Sequence, residues 1–378
     1  MCELRGITWD DPRGYSGLEA ASHKYSIEVD SEFCIKWEKQ SLYDFTMRPP
    51  EELAEKYDLI VIDYPSIGDA AISGKYMPID LLMDEKTLEE IKAQSLGDSF
   101  NSYKYGNHIW ALPIDVSAQF SAFRPDILSD PPRSLKGLLE LARRTERELS
   151  YKVAIPLKPL HAHSTFLSIL FNISSETSAS DFRKIGNELL PKALEILLDI
   201  SEFLHPKSYN TDAIEILDEM SESNEIGYIP YVYGYFNYSK IGYRKKLIMF
   251  KDIPTTSYIP TGATLGGAGI AISRRAINNV ERIVKFLKWL LSKEIQIKVY
   301  SKHGGQSYNV NAWLDKNVNL EHSNSYLNTI SSVIFSYVRP NKPGYTKIHE
   351  RSGKVILEFM KNNENINVIA RELRDLYI

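Results

Sequence analysis

The stretch Asp58-Leu59-Ile60-Val61-Ile62-Asp63 has four consecutive aliphatic residues between two carboxylates. A short apolar run without alternation is typical of a parallel strand that is covered on both faces. Upstream, Leu4–Trp9 and Cys34–Trp37 are short runs rich in apolar and aromatic residues, and they predict two further strands. We expect Cys34 to be buried in the second of these strands.

Helix signals lie between the three predicted strands. Ser16-Gly17-Leu18-Glu19 matches a capping box, so we expect a helix to begin there, after a turn over residues 10–14. Pro49-Pro50-Glu51-Glu52 predicts a second helix start, since proline and acidic residues suit a first turn. Strands that alternate with helices in this way indicate an α/β unit with a parallel sheet.

The alternation continues along the rest of the chain. Further helices and strands are predicted at Thr87–Glu90 (a second capping box), Ser134–Arg147, Gly227–Tyr233, Ala268–Ser273 and Val280–Leu291. No internal repeat and no low-complexity segment interrupts them.

Length and composition limit the possible classes of protein. The chain has 378 residues, enough for two domains, and 43% of them are hydrophobic, which supports a real core. The formal net charge of −4 argues against nucleic acid as the main partner, because such a partner requires a basic field. The two cysteines, Cys2 and Cys34, exclude a disulfide framework and a cysteine-rich zinc site. The 23 tyrosines suggest polar aromatic surfaces on which a ligand could stack.

Targeting signals are not evident. No apolar run approaches the roughly 18 residues that a membrane span requires. The segment Met1-Cys2-Glu3-Leu4-Arg5-Gly6 has no apolar core of a signal peptide. Either the chain stays in the cytoplasm or the sequence is a mature or trimmed form. Cys2 could be a lipid-anchor residue, although an ordinary cysteine near a chain end is the simpler interpretation.

Several motifs occur together in a familiar order. Ile109-Trp110-Ala111-Leu112-Pro113-Ile114-Asp115 follows a turn at Tyr105-Gly106-Asn107-His108. A glycine-rich strand entry, Leu265–Ser273, precedes a helix that ends in Phe-Leu-x-Trp-Leu-x-Ser-x-Glu-x-Gln over residues 286–296, and Gly304-Gly305-Gln306 comes soon after. From about Leu4 to Asp315 the chain resembles the family 1 extracellular solute-binding proteins of ABC importers, the maltose-binding-like group.

This resemblance implies a fold. It implies an α/β, two-lobed, type II periplasmic-binding-protein-like fold, in which each lobe is a mixed, mainly parallel sheet flanked by helices and the ligand lies in a cleft between the lobes. Lobe 1 would hold residues 1–114 and 260–316, and lobe 2 would hold residues 115–259 and 317–378. The hinge would lie near residues 113–117 and 259–260. Two chain crossings of this kind let ligand contacts stabilise a closed state.

The resemblance also implies a function. The expected function is to capture a small polar ligand, most plausibly a sugar, and to pass it to the permease subunits of an ABC transporter, with no catalysis and as a monomer. The expected location is extracytoplasmic or at the cell surface, and it is cytoplasmic if the native chain truly starts at Met1. The alternative is a cytoplasmic ligand sensor or enzyme on the same fold, because fold alone does not determine function.

Candidate ligand-binding residues follow the predicted strands, because ligands of open α/β sheets lie beyond the carboxyl ends of the strands. In the first half of the chain they are Trp9, Asp10, Arg13, Tyr15, Asp63, Tyr64 and Asp115. Trp offers a flat face for a sugar ring, while Asp and Arg accept from and donate to hydroxyl groups. The structural alternatives are turn, cap and hinge hydrogen bonds. The charged run Trp37-Glu38-Lys39-Gln40 is more typical of a solvated face.

Two further groups of candidates come from the second half of the chain. Tyr231 and Tyr233 alternate with Tyr235 on one face of a predicted strand, where they could stack on a sugar or simply pack in a core. Gly266 and Gly267 could present backbone N–H groups to a ligand, or meet a need for positive φ. The same glycine cluster lacks the Gly-Lys-Ser/Thr ending of a phosphate-binding loop.

Catalytic, metal and cofactor sites are not predicted. His161-Ala162-His163 could begin a metal site, but no third ligand is near in sequence; a cleft contact or a surface loop are the other interpretations. The chain has no Gly-x-Ser-x-Gly elbow and no His-Glu-x-x-His motif. We therefore expect no cofactor.

Overall fold

The computed structural model describes residues 4–174, 185, 188–362 and 364–377. Cys2, the candidate lipid-anchor residue, lies outside the described residues. The strands are β1 (Leu4–Trp9), β2 (Ile35–Gln40), β3 (Leu59–Ile62), β4 (Lys104–Tyr105), β5 (His108–Ile109), β6 (Leu112–Phe123), β7 (Lys152–Val153), β8 (Ile226–Tyr233), β9 (Met249–Lys251) and β10 (Leu265–Ile272).

Helices cover much of the remaining described chain. They are α1 (Pro12–Glu28), α2 (Leu42–Met47), α3 (Pro50–Ala54), α4 (Ile67–Ile72), α5 (Glu85–Gln94), α6 (Leu135–Arg147), α7 (Pro159–Ser174), α8 (Leu189–Ser201), α9 (Ala213–Glu222), α10 (Val280–Leu290), α11 (Lys293–Ile295), α12 (Val310–Trp313), α13 (Lys316–Glu321), α14 (Ser325–Ile334), α15 (Tyr345–Asn362) and α16 (Ile366–Asp375), with a π-helical turn at Gln296–Ser301. None of the helices in the described parts of the chain is both long and apolar enough to cross a membrane.

The chain divides into two compact units, each discontinuous in sequence. Unit 1 comprises Met1–Val116, Gly266–Val318 and Pro340–Thr346, and unit 2 comprises Ser117–Leu265, Asn319–Arg339 and Lys347–Ile378. The chain therefore passes from one unit to the other five times along the sequence. The boundaries of the predicted lobes lie two residues (at 114 and 316) and six residues (at 259) before those of the units, and the prediction places residues 340–346 in the other half. The predicted hinge positions stay a prediction.

Unit 1 is built on strands in the order β2-β1-β3-β10. The pairs β1–β2 and β1–β3 are parallel, whereas β10 runs antiparallel to β3. All four residues of β3 are buried, as expected for a strand covered on both faces. Leu18 of α1 and Phe286 and Leu290 of α10 belong to the same buried apolar cluster as the strand residues Leu59 and Val61.

Unit 2 is built on a mixed set of strands in the order β9-β6-β8-β7. The strand β6 runs antiparallel to both β8 and β9, and β7 pairs with β8 in parallel. The helix α7 is almost entirely buried from His161 to Asn172, so it lies in the interior of this unit.

The short segment Pro340–Thr346 is bound to the rest of unit 1 by hydrogen bonds of Asn341. The N–H of Gly68 donates to the carbonyl of Asn341 at 2.9 Å. A Cβ atom at Gly68 would lie 2.3 Å from that carbonyl oxygen, so the close approach requires glycine. The Asn341 carboxamide donates to the carbonyls of Ser102 and Lys104 at 3.0 and 2.7 Å.

Some local predictions are wrong. The helix α1 begins at Pro12, with Asp11 as its N-cap, rather than at Ser16, and α5 begins after the N-cap Asp84 rather than at Thr87. Cys34 is exposed because it precedes β2, and it is disulfide-bonded.

Candidate functional site

The carboxyl ends of β1, β2 and β3 lie side by side in unit 1, so the polar residues that follow these strands are brought to one sheet edge. The strand β1 ends at Trp9, and Trp9 is in register with Gln40 at the end of β2. The strand β3 ends directly before Asp63 and Tyr64. The first group of predicted ligand residues is therefore distributed around one end of one sheet.

Trp9 is buried, with 3% of its surface exposed. Its ring lies 4.8 Å from the Phe45 ring, centroid to centroid, at a tilt of 37°. A Cβ atom at Gly14 would lie 2.5 Å from the indole, so the first turn of α1 passes directly against it. Among the described residues of this unit, Trp9 therefore presents no open ring face, and its role as a stacking platform stays a prediction.

Asp10 and Asp11 differ in their roles. Asp10 is exposed, and its backbone N–H donates to the carbonyl of Gln40 at 2.8 Å. Asp11 caps α1, because its side chain accepts from the backbone N–H of Arg13 at 2.8 Å. The exposed carboxylate of Asp10 is the one that remains open to a solute.

Arg13 and Asp115 form a buried ion pair. Nε of Arg13 donates to Oδ2 of Asp115 at 2.9 Å, and Nη2 donates to Oδ1 at 2.5 Å. Burial raises the pKa of the Asp115 carboxyl, and the neighbouring guanidinium opposes that shift. Both residues were predicted to bind ligand, and the structure brings them together as each other's partner.

Tyr15 and Lys39 also contact each other. Nζ of Lys39 lies 3.2 Å from the centroid of the Tyr15 ring. Such a cation–π contact stabilises by about 0.5–1 kcal/mol at an exposed site. Lys39 is exposed, as the predicted solvated face requires, but the next residue along the strand, Gln40, is buried.

Asp63 and Tyr64 are both buried at the end of β3. The carbonyl of Asp63 accepts from the N–H of Ser66 at 3.1 Å, within a single 3₁₀ turn. The Tyr64 ring meets the Tyr103 ring edge-on at 6.3 Å. Tyr64 is thus part of the packing beside the sheet edge.

Gly266 and Gly267 lie inside β10. Gly267 has φ of 129°, and a Cβ atom there would lie 2.6 Å from the carbonyl oxygen of Asp115. This close backbone approach accounts for the glycine at position 267 without a ligand. The assignment of both glycines to a ligand site stays a prediction.

Unit 2 places the tyrosine row at the end of β8. Tyr231 has no exposed surface, and burial raises the pKa of its hydroxyl well above the ordinary value. Tyr233, the last residue of the strand, is partly exposed, and its hydroxyl lies 3.0 Å from Oγ of Ser164. Of the two predicted stacking residues, Tyr233 is therefore the one that a solute could reach.

The two histidines of the His-Ala-His motif lie on α7, not in a surface loop. The ring of His163 meets the ring of His349 at 4.5 Å, and its Nε2 lies 2.7 Å from the Tyr377 hydroxyl. Burial lowers the pKa of His161 to about 4 and that of His163 to about 3. No set of three or more His, Cys, Asp or Glu side chains among residues 4–174, 185, 188–362 and 364–377 could hold a metal ion.

Gln40 is the residue at this edge that the sequence pattern assigns to a solvated face rather than to the site. It follows the charged residues Glu38 and Lys39, and it ends β2 with only 8% of its surface exposed. Trp9 and Gln40 each end a strand, and the two strands form a parallel pair in which these residues are in register. A sequence-based prediction of that parallel pair would have placed Gln40 beside Trp9 at the sheet edge.

Comparison with known proteins identifies the fold. No protein-family model and no curated protein sequence matches this chain. Solved structures do match it. An ABC transporter solute-binding protein from Agrobacterium radiobacter K84, in complex with ribitol, aligns with a TM-score of 0.76 and 17% identity over 98% of this chain and 97% of the other.

Two further structures match over similar lengths. Maltose-bound T. maritima MalE3 aligns with a TM-score of 0.81 and 15% identity over 99% of this chain and 98% of the other. The cyclic alpha-maltosyl-1,6-maltose binding protein from Arthrobacter globiformis aligns with a TM-score of 0.75 and 12% identity over 99% of this chain and 97% of the other. The chain has the two-lobed α/β fold of periplasmic binding proteins, as the family resemblance implied.

Proposed function

We propose that this protein is the solute-binding component of an ABC importer and that its ligand is a small neutral carbohydrate or polyol. The observation that carries the proposal is the end-to-end likeness to three solute-binding proteins whose described ligands are ribitol, maltose and a cyclic maltosyl-maltose. Because such distant similarity shows fold alone, the ligand class rests equally on the residues of the candidate site.

Those residues suit a polyhydroxylated ligand. Asp10 offers an exposed carboxylate that can accept hydrogen bonds from hydroxyl groups, and Tyr233 offers an aromatic ring with a polar tip. Arg13, the strongest local cation, is already paired with Asp115. The buried cation at this edge of unit 1 is therefore committed to an internal ion pair, which favours a neutral ligand over an acidic one.

The proposal includes closure of the two lobes on the ligand and delivery to permease subunits. A ligand shifts a conformational equilibrium only by its differential affinity for the two states. We propose no catalytic step, and the ligand leaves chemically unchanged.

We also propose an extracytoplasmic location. Cys34 is disulfide-bonded, and disulfides persist in oxidising compartments rather than in the reduced cytosol. This observation favours an importer component over the alternative of a cytoplasmic sensor or enzyme.

A thermal-shift screen with ribitol, maltose, other sugars and polyols tests the ligand class. Ligand at 100 times its dissociation constant stabilises the folded protein by about 2.7 kcal/mol, so the melting temperature should rise measurably. Organic acids and CoA-like compounds serve as controls. A shift with those compounds and with no sugar or polyol would contradict the proposal. Fractionation of the native cells should place the protein outside the cytosol, and a purely cytosolic pool would remove the importer role.

A further inference from the structure

Gln40 carries a buried carboxamide that nothing in the described chain satisfies. Only 8% of its surface is exposed, yet neither Oε1 nor Nε2 has a hydrogen-bond partner among the described residues. A buried polar group left in this state costs about 1–3 kcal/mol. Such a cost at the end of a strand calls for an explanation.

The neighbouring polar residues of β2 are satisfied, so the defect is local. Glu38 accepts from Nη2 of Arg5 at 2.7 Å and from the hydroxyl of Tyr57 at 2.9 Å. The indole N–H of Trp37 donates to Oγ of Ser22 at 2.9 Å. Gln40 lies at the carboxyl end of the same strand.

A second unsatisfied group lies directly across the ladder. Trp9 is in register with Gln40, and residues paired in a parallel ladder project to the same face of the sheet, about 4.8 Å apart. Nε1 of Trp9 is buried and has no hydrogen-bond partner in the described chain. Two donors and one acceptor are therefore left at adjacent strand ends, where open α/β sheets bind ligands.

The cations around these groups are already engaged. Arg13 pairs with Asp115, and the ammonium of Lys39 lies over the Tyr15 ring. The groups that remain are the exposed carboxylate of Asp10, which accepts, and two neutral groups: a carboxamide, which donates and accepts, and an indole N–H, which donates. A hydroxyl group also donates and accepts, so adjacent hydroxyl groups match this set, whereas a carboxylate would leave the carboxamide oxygen unpaired.

We propose that Gln40 is a specificity-determining residue, and that its carboxamide, with the indole N–H of Trp9, recognises adjacent hydroxyl groups of a neutral polyol or sugar. The inference rests on the proposed function and deepens it, because it names the residue that distinguishes hydroxyl-bearing ligands from others. The free protein tolerates the unsatisfied carboxamide, and the ligand supplies its partners. A site built to hydrogen-bond a hydroxyl group discriminates strongly against an analogue that lacks it.

The variant Q40M tests this inference, because methionine keeps the length of the side chain and removes both polar atoms. The ligand-free variant should be as stable as the wild-type protein or more stable, since an unsatisfied group has been removed. Its dissociation constant for the best polyol or sugar of the thermal screen should rise tenfold or more. Calorimetric titration gives the dissociation constants, and urea unfolding gives the stability. A purely structural role of Gln40 predicts lower stability with unchanged affinity.

Monodeoxy analogues of the same ligand provide a second measurement. The wild-type protein should lose affinity for one or two particular deoxy analogues, and Q40M should no longer distinguish them from the parent. The variant W9F, which keeps an aromatic ring and removes the indole N–H, should weaken binding of the parent ligand. Unlike Q40M, it should still distinguish the parent from the deoxy analogue whose missing hydroxyl group contacts Gln40.

Gln296 offers a matched control. It is a buried glutamine of the same unit whose carboxamide is satisfied, since Nε2 donates to the carbonyl of Leu290 and Oε1 accepts from Oγ of Ser307. Q296M should lower stability and leave affinity unchanged. Equal affinities of wild-type protein and Q40M would overturn this inference alone. Failure of the wild-type protein to bind any sugar or polyol would overturn the proposed function and this inference with it.

Discussion

At the scale of single residues, the pair Arg13–Asp115 shows how a candidate binding residue can serve the protein itself. The two side chains are 102 positions apart in sequence and almost fully buried, and they meet through two hydrogen bonds. Desolvation of two charges costs several kcal/mol, and only their close mutual contact offsets it. Removal of one partner should therefore be far more damaging than removal of both.

We predict that R13M lowers the free energy of unfolding by about 3–5 kcal/mol, because it leaves the Asp115 carboxylate buried and unpaired. The double variant R13M/D115L should recover much of that loss. Urea unfolding at neutral pH measures both. The deficit of R13M should shrink as the pH falls, since Asp115 can then take up a proton. Wild-type stability in R13M, together with lost ligand binding, would assign Arg13 to the ligand instead.

At the scale of elements, β8 separates two tyrosines that look equivalent in the sequence. Both occupy one face by alternation, but the strand carries Tyr231 into the interior of unit 2 and ends at Tyr233, which is partly exposed. Alternation fixes the face of a sheet on which a side chain lies, and the packing of other elements on that face decides its depth.

We predict that Y233A raises the dissociation constant of the ligand about tenfold, which corresponds to roughly 1–2 kcal/mol of aromatic contact. The matched variant Y231A should instead lower the free energy of unfolding by about 3–5 kcal/mol, as for other large buried aromatic residues. Calorimetric titration and urea unfolding of both variants separate the two effects. Unchanged affinity in Y233A would restrict that residue to a packing role.

The same scale shows what the sequence could predict. The bounds of β1, the continuous burial of β3 and the helix that begins after the N-cap Ser134 follow from local pattern, because each depends on a few adjacent residues. The start of α1 was wrong for a local reason as well. Asp11-Pro12 is equally typical of a turn and of an N-cap followed by proline at N1, so the capping box at Ser16 is the clearer helix signal in the sequence.

The candidate site was harder to predict than the fold. Strand ends point to a sheet edge, so Trp9, Asp10 and Asp63 could be grouped from the sequence alone. The partnership of Arg13 with Asp115 and the burial of Gln40 could not, because both depend on segments distant in the chain. The run Trp37-Glu38-Lys39-Gln40 has the composition of a solvated face, so its composition does not reveal that Gln40 is buried.

At the scale of the whole molecule, three buried imidazoles make stability depend on pH. Burial lowers the pKa of His161 to about 4, that of His163 to about 3 and that of His349 well below its ordinary value. The charge of Arg339 lowers the pKa of all three histidines further. At His161, Lys158 also lowers the pKa, whereas Asp212 raises it. The unfolded chain therefore binds more protons than the folded one below the unfolded pKa of about 6.5.

We predict that stability is insensitive to these histidines above pH 6.5 and falls as the pH drops from about 6.5 toward 4. Each imidazole that stays neutral in the folded state contributes a slope of about 1.4 kcal/mol per pH unit. Urea unfolding across that range measures the slope. The variant H163N should show a shallower slope than the wild-type protein, and equal slopes would show that His163 is not held neutral by burial.

The return of Pro340–Thr346 to unit 1 has a consequence for genetics. The carbonyl and carboxamide of Asn341 bind Gly68, Ser102 and Lys104. A gene fragment that stops before codon 340 therefore encodes unit 1 without its segment Pro340–Thr346. No uninterrupted segment of the gene specifies either half. Recombination at a single junction therefore cannot exchange one half with that of a relative, and a working chimera needs a cut at each of the five passages.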